Sequence, residues 1–301
     1  MSFTTRFLYS FVYLLFVIPF LCLLRGLPAK NSLKKLNSIL EGIKKGQIAH
    51  RGGIPENTLT AFRKSKRTGA TTVEVDLQMT KDGHPVLFHD DETDELCNGS
   101  GQLKDMTMED VKILDIKGYP DAKIPTLHEA IDVIKEEDMY MLLEIKDYNS
   151  QTLNIITNLF KNDDHLYERI IVISFFPHII YQVKRSDSNI MVGLVVMQTL
   201  LVDEAGPLYA KWKLKLLSVF DYIIGKIMIG SFVRKLIGLS LILPDKDDII
   251  LKRIDIKHLE EEGVRLITWT VNSDEDKEYF NNNLHHIPYM TDHVTSSHSP
   301  Q

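Results

Sequence analysis

Residues 72 to 91 read Thr-Val-Glu-Val-Asp-Leu-Gln-Met-Thr-Lys-Asp-Gly-His-Pro-Val-Leu-Phe-His-Asp-Asp. The first half has the pattern of a strand. Side chains alternate along a strand, so Val73, Val75 and Leu77 share one face while Glu74 and Asp76 share the other. The valine face suits a covering layer of helices, and the acidic face must then point into an interior. Asp82-Gly83 is a hairpin turn signal. A parallel crossover takes about a dozen residues or more, for which there is no room here. Residues 85–89 are therefore expected to run antiparallel to 72–78 and to open an inserted subdomain over 80–120.

Outward from this stretch, apolar runs of strand length recur at 47–50, 139–145, 170–175, 190–196, 239–243, 265–271 and 287–291. Helical patterns at 58–68, 127–137, 151–161, 177–185, 250–262 and 274–283 lie between them. Asn57 reads as the opening cap of the first helix and Gly69 as its stop, and Thr126 to Glu129 form a capping box. Strands alternating with helices argue for parallel β/α units. With 72–78, this makes eight strands between residues 47 and 292. That size predicts a (β/α)8 TIM barrel of class α/β with a small insertion.

The chain has 301 residues, 25% of them charged and 44% hydrophobic, with a formal net charge of −6. No global basic field invites nucleic acid. Two cysteines, Cys22 and Cys97, give neither a disulfide framework nor a zinc spacing. Residues 7 to 24 carry no charge and are bracketed by Arg6 and Arg25. They are expected to form an N-terminal transmembrane helix within a 1–25 membrane anchor, with a cleaved signal peptide as the rival. Residues 26–46 follow as a Lys-rich linker expected to be partly helical, the barrel fills 47–292, and 293–301 is a tail. The expectation is an integral membrane protein with a single N-terminal span, in an endomembrane or the plasma membrane. Arg25, Lys30, Lys34 and Lys35 lean toward a cytosolic catalytic domain, whereas the sequon Asn98-Gly99-Ser100 is usable only in a lumen. The side of the membrane stays open.

Two like charges in a dry site repel and lose hydration, and a divalent cation relieves both costs. A structural salt bridge plus a solvated acid is the plainer alternative for Glu74 and Asp76. Met141 to Lys146 supplies another strand ending in an acid and a base on one face, and adds Glu144 to the pair. Three carboxylates suit Mg2+ or Ca2+. Arg51 and Lys146 suit an anionic oxygen, most simply a phosphate, unless each pairs with a local acid. His50 and His89 stand at strand ends and are candidates for general acid and base.

His50-Arg51-Gly52, Pro55-Glu56-Asn57-Thr58, Glu74-x-Asp76, Lys81-Asp82-Gly83-x-Pro85-Val86-x-x-His89-Asp90, Glu144-x-Lys146, Trp269-Thr270-Val271-Asn272 and Thr291-Asp292 follow in this order. As an ordered set over 47 to 292 they resemble the glycerophosphodiester phosphodiesterase family, most of all its membrane-bound animal branch acting on glycerophosphoinositol and related diesters. The resemblance implies a TIM barrel and one divalent cation on Glu74, Asp76 and Glu144, Mg2+ ahead of Ca2+. It implies acid-base work by His50 and His89, phosphate contacts from Arg51 and Lys146, and Glu56 as a support near the metal and His50. Trp269 would wall the glycerol or the headgroup. One histidine would accept a proton from the attacking oxygen, either the neighbouring glycerol hydroxyl or water, and the other would protonate the leaving alcohol. The chain departs from the family's usual glycine-led last strand ending Thr-Asp-x-Pro, having Tyr289-Met290-Thr291-Asp292-His293-Val294 instead.

Residues 208 to 243 crowd Leu, Ile, Phe and Trp between six Lys or Arg and a single Asp. Within an insert at 200–238, this composition predicts helices lying at a membrane interface, against the alternative of an ordinary core helix. The expected activity is hydrolysis of a glycerophosphodiester to glycerol phosphate and an alcohol. A lysophospholipase D acting on lysophospholipids or N-acyl lysophospholipids is the close rival, and an inactive membrane scaffold the distant one. The expected partners are the diester or lysophospholipid substrate and membrane lipids.

Overall fold

The computed structural model of the 301-residue chain describes residues 3–25, 27, 32–146, 150–197 and 211–295. Its strands are β1 Gln47–Ala49, β2 Ala70–Met79, β3 Pro85–Leu87, β4 Tyr140–Ile145, β5 Ile170–Ser174, β6 Met191–Val196, β7 Leu241–Pro244, β8 Arg265–Leu266 and β9 Met290–Thr291. Parallel strands joined through helices in this order make an α/β fold of the (β/α)8 TIM-barrel type. The chain divides into two compact units, Met1–Leu33 with Ile173–Trp269, and Lys34–Val172 with Thr270–Gln301.

The second of these, the carboxylate unit, is organised around β2. This strand is buried at every residue except Thr71, which is partly exposed, as expected of a parallel strand covered on both faces. β1 pairs with it in parallel (Ala49 opposite Val73), and so does β4 (Asp76 opposite Glu144). β9 lies on the far side of β1. β3 runs antiparallel to β2, with Leu77 opposite Leu87, as the short Asp82-Gly83 turn demands. Asp82 accepts from the Thr80 hydroxyl at 2.7 Å and from the Met108 amide at 3.0 Å, which ties the hairpin to the insertion. The insertion has its own apolar core, in which Val86, Phe88, Cys97, Leu103, Val111 and Ile116 are all buried. Asn98 of the sequon is exposed there, its amide 3.2 Å from Asp115.

Several local expectations are revised. The helix Leu59–Arg67 is capped by Thr58, whose hydroxyl accepts from the Ala61 amide. Asn57 is not the cap: it is buried in a left-handed conformation (φ 55°) and spends its side chain on Asp76. The partly helical linker does hold a helix, Leu33–Ile43, and it is packed and not free: it buries Leu36, Ile39, Leu40 and Ile43, the one-faced spacing of a packed helix. The pattern at 250–262 forms two short helices, Lys246–Ile250 and Ile256–Glu261. Lys252 turns left-handed between them (φ 55°), and Asp255 restarts the second by accepting from the His258 amide. Beyond β8, single bonds such as Ile267 N to Ile242 O carry on where a regular strand was expected.

In the other unit, β6, β7 and β8 are parallel neighbours. Its N-terminal helix runs through Phe3–Val12, a π-helical turn at Tyr13–Val17 and Ile18–Arg25. The segment Thr5–Cys22 is long and apolar enough to cross a membrane. The insert holds helices Lys211–Ile229 and Ser231–Ile237, the latter stopped by left-handed Gly238 (φ 70°). Residues 200–210 of that insert, and 296–301 of the tail, lie outside the described residues.

Helix Pro177–Ser186 ends on a buried cation. Lys184 is 1% exposed, and its ammonium donates to the carbonyls of Ser188 (2.6 Å) and Ile190 (3.0 Å) just before β6. Lys184→Met keeps the stem but strands both carbonyls, and is expected to cost about 1–3 kcal/mol in urea unfolding. An unchanged midpoint would show that the carbonyls need no ammonium.

Candidate active site

The register of β2 on β4 sets Asp76 beside Glu144, with Glu74 one alternation back on the same face. Relative exposures are 2% for Glu74, 1% for Asp76 and 7% for Glu144. One oxygen from each lies within 4.8 Å of the others. Lys146 joins them: its ammonium is 3.0 Å from Asp76 Oδ1 and 2.9 Å from Glu144 Oε1. Asn57 donates to Asp76 Oδ2 at 2.8 Å and accepts from the Asp76 amide. Glu74 Oε2 accepts from the Arg51 amide at 2.8 Å, while Glu74 Oε1 is buried with no hydrogen-bond partner.

The charges do not balance by themselves. Burial, then the neighbouring Asp76 charge, push Glu74 up to about 8. Burial acts on Asp76 the same way, but the Lys146 charge and the Asn57 bond outweigh it and hold that carboxyl well below its usual range. Burial would lower Lys146, but Asp76 and Glu144 hold it above its ordinary value. One ammonium thus serves three buried carboxylates, one of which has an orphaned oxygen. These hard oxygen donors, close together and short of positive charge, fit a divalent cation.

The turn after β1 brings the remaining groups to the carboxylates. His50–Gly52 is a tight, kinked turn in which Arg51 (φ 50°) and Gly52 (φ 71°) are left-handed. A Cβ on Gly52 would fall 2.1 Å from the Phe62 ring, so only glycine fits this turn. His50 meets Asp292 Oδ1 through Nδ1 at 2.6 Å, and its Nε2 is 3.9 Å from Glu74. Burial opposes the imidazolium, but the Asp292 bond and the Glu74 charge prevail and raise His50 above its ordinary value. Asn272 holds Asp292, donating to Oδ2 at 2.5 Å and accepting from the Asp292 amide.

His89 is arranged differently. Its Nδ1 lies 2.5 Å from Asp90 Oδ1, and its Nε2 lies 2.9 Å from an Arg51 guanidinium nitrogen. A guanidinium only donates, so His89 Nε2 accepts and the ring proton sits on Nδ1, toward Asp90. Gln78, further along the acidic face of β2, reaches the carbonyls of Phe88, His89 and Asp90 and fixes this turn. Glu56 pairs with Arg51 at 2.8 Å and clusters with His89 and Asp90, apart from the three buried carboxylates.

The carboxylate unit therefore gathers His50, Arg51, Glu56, Glu74, Asp76, His89, Glu144 and Lys146. Trp269 belongs to the other unit, where its ring meets Phe175 edge-on at 5.5 Å and its indole N–H donates to the Leu243 carbonyl. Asn57, Gln78, Asp90, Asn272 and Asp292 were not among the expected site residues. Gln78 carried a signal, since it shares the face of Glu74 and Asp76. Asp292 stood in the quoted Thr-Asp pair with no partner named.

Comparison with known proteins gives the family. The model of the glycerophosphoryl diester phosphodiesterase family matches residues 49–296. The chain is similar to Glycerophosphodiester phosphodiesterase 1 of Mus musculus, 32% identical over 84% of this chain and 79% of the relative. The same protein of Homo sapiens is 30% identical over the same shares. Among solved structures, a phosphodiesterase from Oleispira antarctica in complex with the product sn-glycerol-3-phosphate superposes with a TM-score of 0.61. It is 21% identical and covers 83% of this chain and 93% of its own. A glycerophosphodiester phosphodiesterase from Agrobacterium tumefaciens has a TM-score of 0.61, 16% identity, and coverage of 83% and 97%. With the family model spanning most of the chain and animal relatives at this identity, the chain belongs to the glycerophosphoryl diester phosphodiesterase family and is a hydrolase of glycerophosphodiesters.

Proposed function

We propose that this hydrolase works with one divalent cation, Mg2+ ahead of Ca2+, held by Glu74, Asp76 and Glu144, and with His50 and His89 as its acid-base pair. The observation that carries the proposal is the buried Glu74 Oε1 without a partner, beside two further buried carboxylates and one ammonium. When bound, the cation supplies Lewis-acid stabilisation of charge on the phosphate. Arg51 and Lys146 supply the remaining positive charge for the phosphoryl oxygens. His89 suits the base, because its Nε2 already accepts a hydrogen bond. His50 suits the acid, because Asp292 favours its protonated form. His89 takes the proton of the attacking oxygen, from the adjacent glycerol hydroxyl or from water, and His50 delivers one to the leaving alcohol oxygen. Glu56 restrains Arg51.

Among substrates we place glycerophosphoinositol-type diesters first, in keeping with the resemblance to the animal branch. The second reading, a lysophospholipase D, is favoured by the exposed apolar residues Val219, Phe220, Tyr222 and Ile223 of the insert helix, which suit contact with an acyl-bearing phase. Family membership sets the inactive scaffold aside. Attachment to an endomembrane or the plasma membrane through the N-terminal helix and the basic insert completes the proposal.

Detergent-purified protein is expected to cleave glycerophosphoinositol ahead of glycerophosphocholine and lysophosphatidylcholine with Mg2+ present, and to stop in EDTA. Glu74→Gln is expected to lower turnover by about a thousandfold or more, the scale of losing a charge-stabilising group in a buried site. Equal rates in EDTA would remove the cation from the proposal, and lysophosphatidylcholine cleaved first would favour the lysophospholipase D.

Asp292→Asn keeps the shape of its side chain but removes the charge that supports the His50 imidazolium. The folded pKa of His50 should fall toward its ordinary value. Activity that needs a protonated His50 is then lost at lower pH, so the alkaline limb of kcat moves down. We expect kcat at neutral pH to fall by roughly ten- to a hundredfold. An unshifted limb with normal kcat would remove Asp292 from the proton path.

A further inference from the structure

A cavity of about 600 Å³ opens at the foot of the carboxylate unit, within the range of about 300–1,000 Å³ usual for small-molecule sites. It lies at the other end of the strands from the catalytic groups. Gln47 opens β1, which leads into His50, and Tyr289 precedes β9, which leads into Asp292; both line the cavity. Phe280, 0% exposed, and Ile287, 3% exposed, give it an apolar side. Gln47 and Thr295 fix another side by bonding each other twice. Gln47 Nε2 donates to the Thr295 hydroxyl at 3.2 Å, and the Thr295 amide donates to Gln47 Oε1 at 3.0 Å. Lys44, Lys45 and His285 complete the charge of the lining, and no Asp or Glu lines it among the described residues.

A base just past a helix end usually serves the carbonyls that the helix leaves open. Lys44 and Lys45 follow the helix Leu33–Ile43, and His285 follows the helix Asp274–Asn283. Here backbone amides take those carbonyls. The amides of Lys44, Lys45 and Gly46 donate to Leu40, Gly42 and Ile43 at 2.9, 3.3 and 3.3 Å, and the Leu284 amide donates to Phe280 at 2.9 Å. The Thr71 hydroxyl adds a second bond to the Ile43 carbonyl. The bases are therefore left over. Among the described residues the Lys45 ammonium makes no ion pair and the His285 ring nitrogens make no hydrogen bond, the His285 ring standing edge-on to His286 at 5.8 Å. Lys44 pairs with Glu41 at 3.1 Å, but the Glu41 side chain is 71% exposed, and so exposed a pair is weak. Burial raises the Tyr289 hydroxyl above its ordinary value, which keeps it an uncharged donor beside them.

Two ammonium groups and an imidazole around an acid-free recess suit a compact dianion. A phosphate monoester carries about −1.5 to −2 at neutral pH and offers three strong acceptor oxygens, whereas a diester or a carboxylate carries a single charge. We propose that the foot of the carboxylate unit is a second, non-catalytic site, which binds a small soluble phosphate monoester through Lys44, Lys45 and His285. Hydrolysis of a glycerophosphodiester releases a compound of this class, so the enzyme itself supplies such a ligand. The site is built for the soluble form. None of the large apolar side chains exposed on this protein lines the cavity, so an acyl chain would find no partner there.

Calorimetric titration of the detergent-purified full chain with sn-glycerol 3-phosphate tests this. Lys45→Ala with His285→Ala alters two exposed side chains away from the catalytic groups, and is expected to keep the melting temperature and the diester turnover. One equivalent of bound glycerol phosphate is expected to weaken by about tenfold or more, the scale of losing two charge-assisted contacts. Lys45→Glu, which reverses one charge, is expected to do the same. Titration curves that coincide with the wild type in both variants overturn the site. Glycerate, a carboxylate of similar size, is expected to bind wild type and variants alike; a glycerate equivalent lost in the variants overturns the preference for a dianion. Lysophosphatidic acid in detergent micelles carries the same phosphate on an acyl chain. If it shows a larger difference between wild type and variants than glycerol phosphate does, the soluble ligand is overturned.

Discussion

Three carboxylates cannot stand together in a dry interior without positive charge, and much of the carboxylate unit follows from that constraint. The register of β2 on β4 forces Asp76 next to Glu144, and alternation carries Glu74 to the same face. Lys146 then has to follow Glu144 by two residues so that its ammonium reaches both Asp76 and Glu144. Asn57 gives up helix capping to bond Asp76 twice. The turn after β1 goes left-handed at two successive residues so that the Arg51 amide can face Glu74. Each departure from ordinary local structure removes some of the same electrostatic penalty, and Glu74 Oε1 is where the compensation stops.

The two imidazoles show how similar parts become different tools. Each has a carboxylate on Nδ1. His50 faces Glu74 with its other nitrogen, and that negative charge joins Asp292 in favouring the imidazolium. His89 faces a guanidinium instead, which demands a lone pair from Nε2. Partners of opposite sign on Nε2 thus separate a proton donor from a proton acceptor. The same Arg51 therefore contributes twice: its amide to a carboxylate and its guanidinium to a histidine.

What could be read in advance followed from period and spacing. The alternation at 73–77 revealed the acidic face, the short turn at 82–83 required an antiparallel return, and the Thr126 capping box marked a helix that begins where expected. The supporting residues were not legible, because their partners are remote in the chain. Asp292 lies 242 residues from His50, and no local pattern joins them. Asn57 precedes a helix and looks like its cap, since a cap and a buried clamp use the same side chain in the same kind of turn. The helix within 26–46 was legible but its packing was not, because the lysines draw attention away from the apolar stripe of Leu36, Ile39, Leu40 and Ile43.

The N-terminal segment shows the limit of hydropathy as a signal. A window of apolar residues records how much apolar surface must leave water, and not what replaces the water. Lipid on all sides and protein on one side satisfy the same window. The difference lies in a few weakly polar positions: a serine and a cysteine on one stripe, with phenylalanines on the other. Ser10 is a small entry in any hydropathy sum, yet its hydroxyl against His178 fixes which stripe is protein-facing.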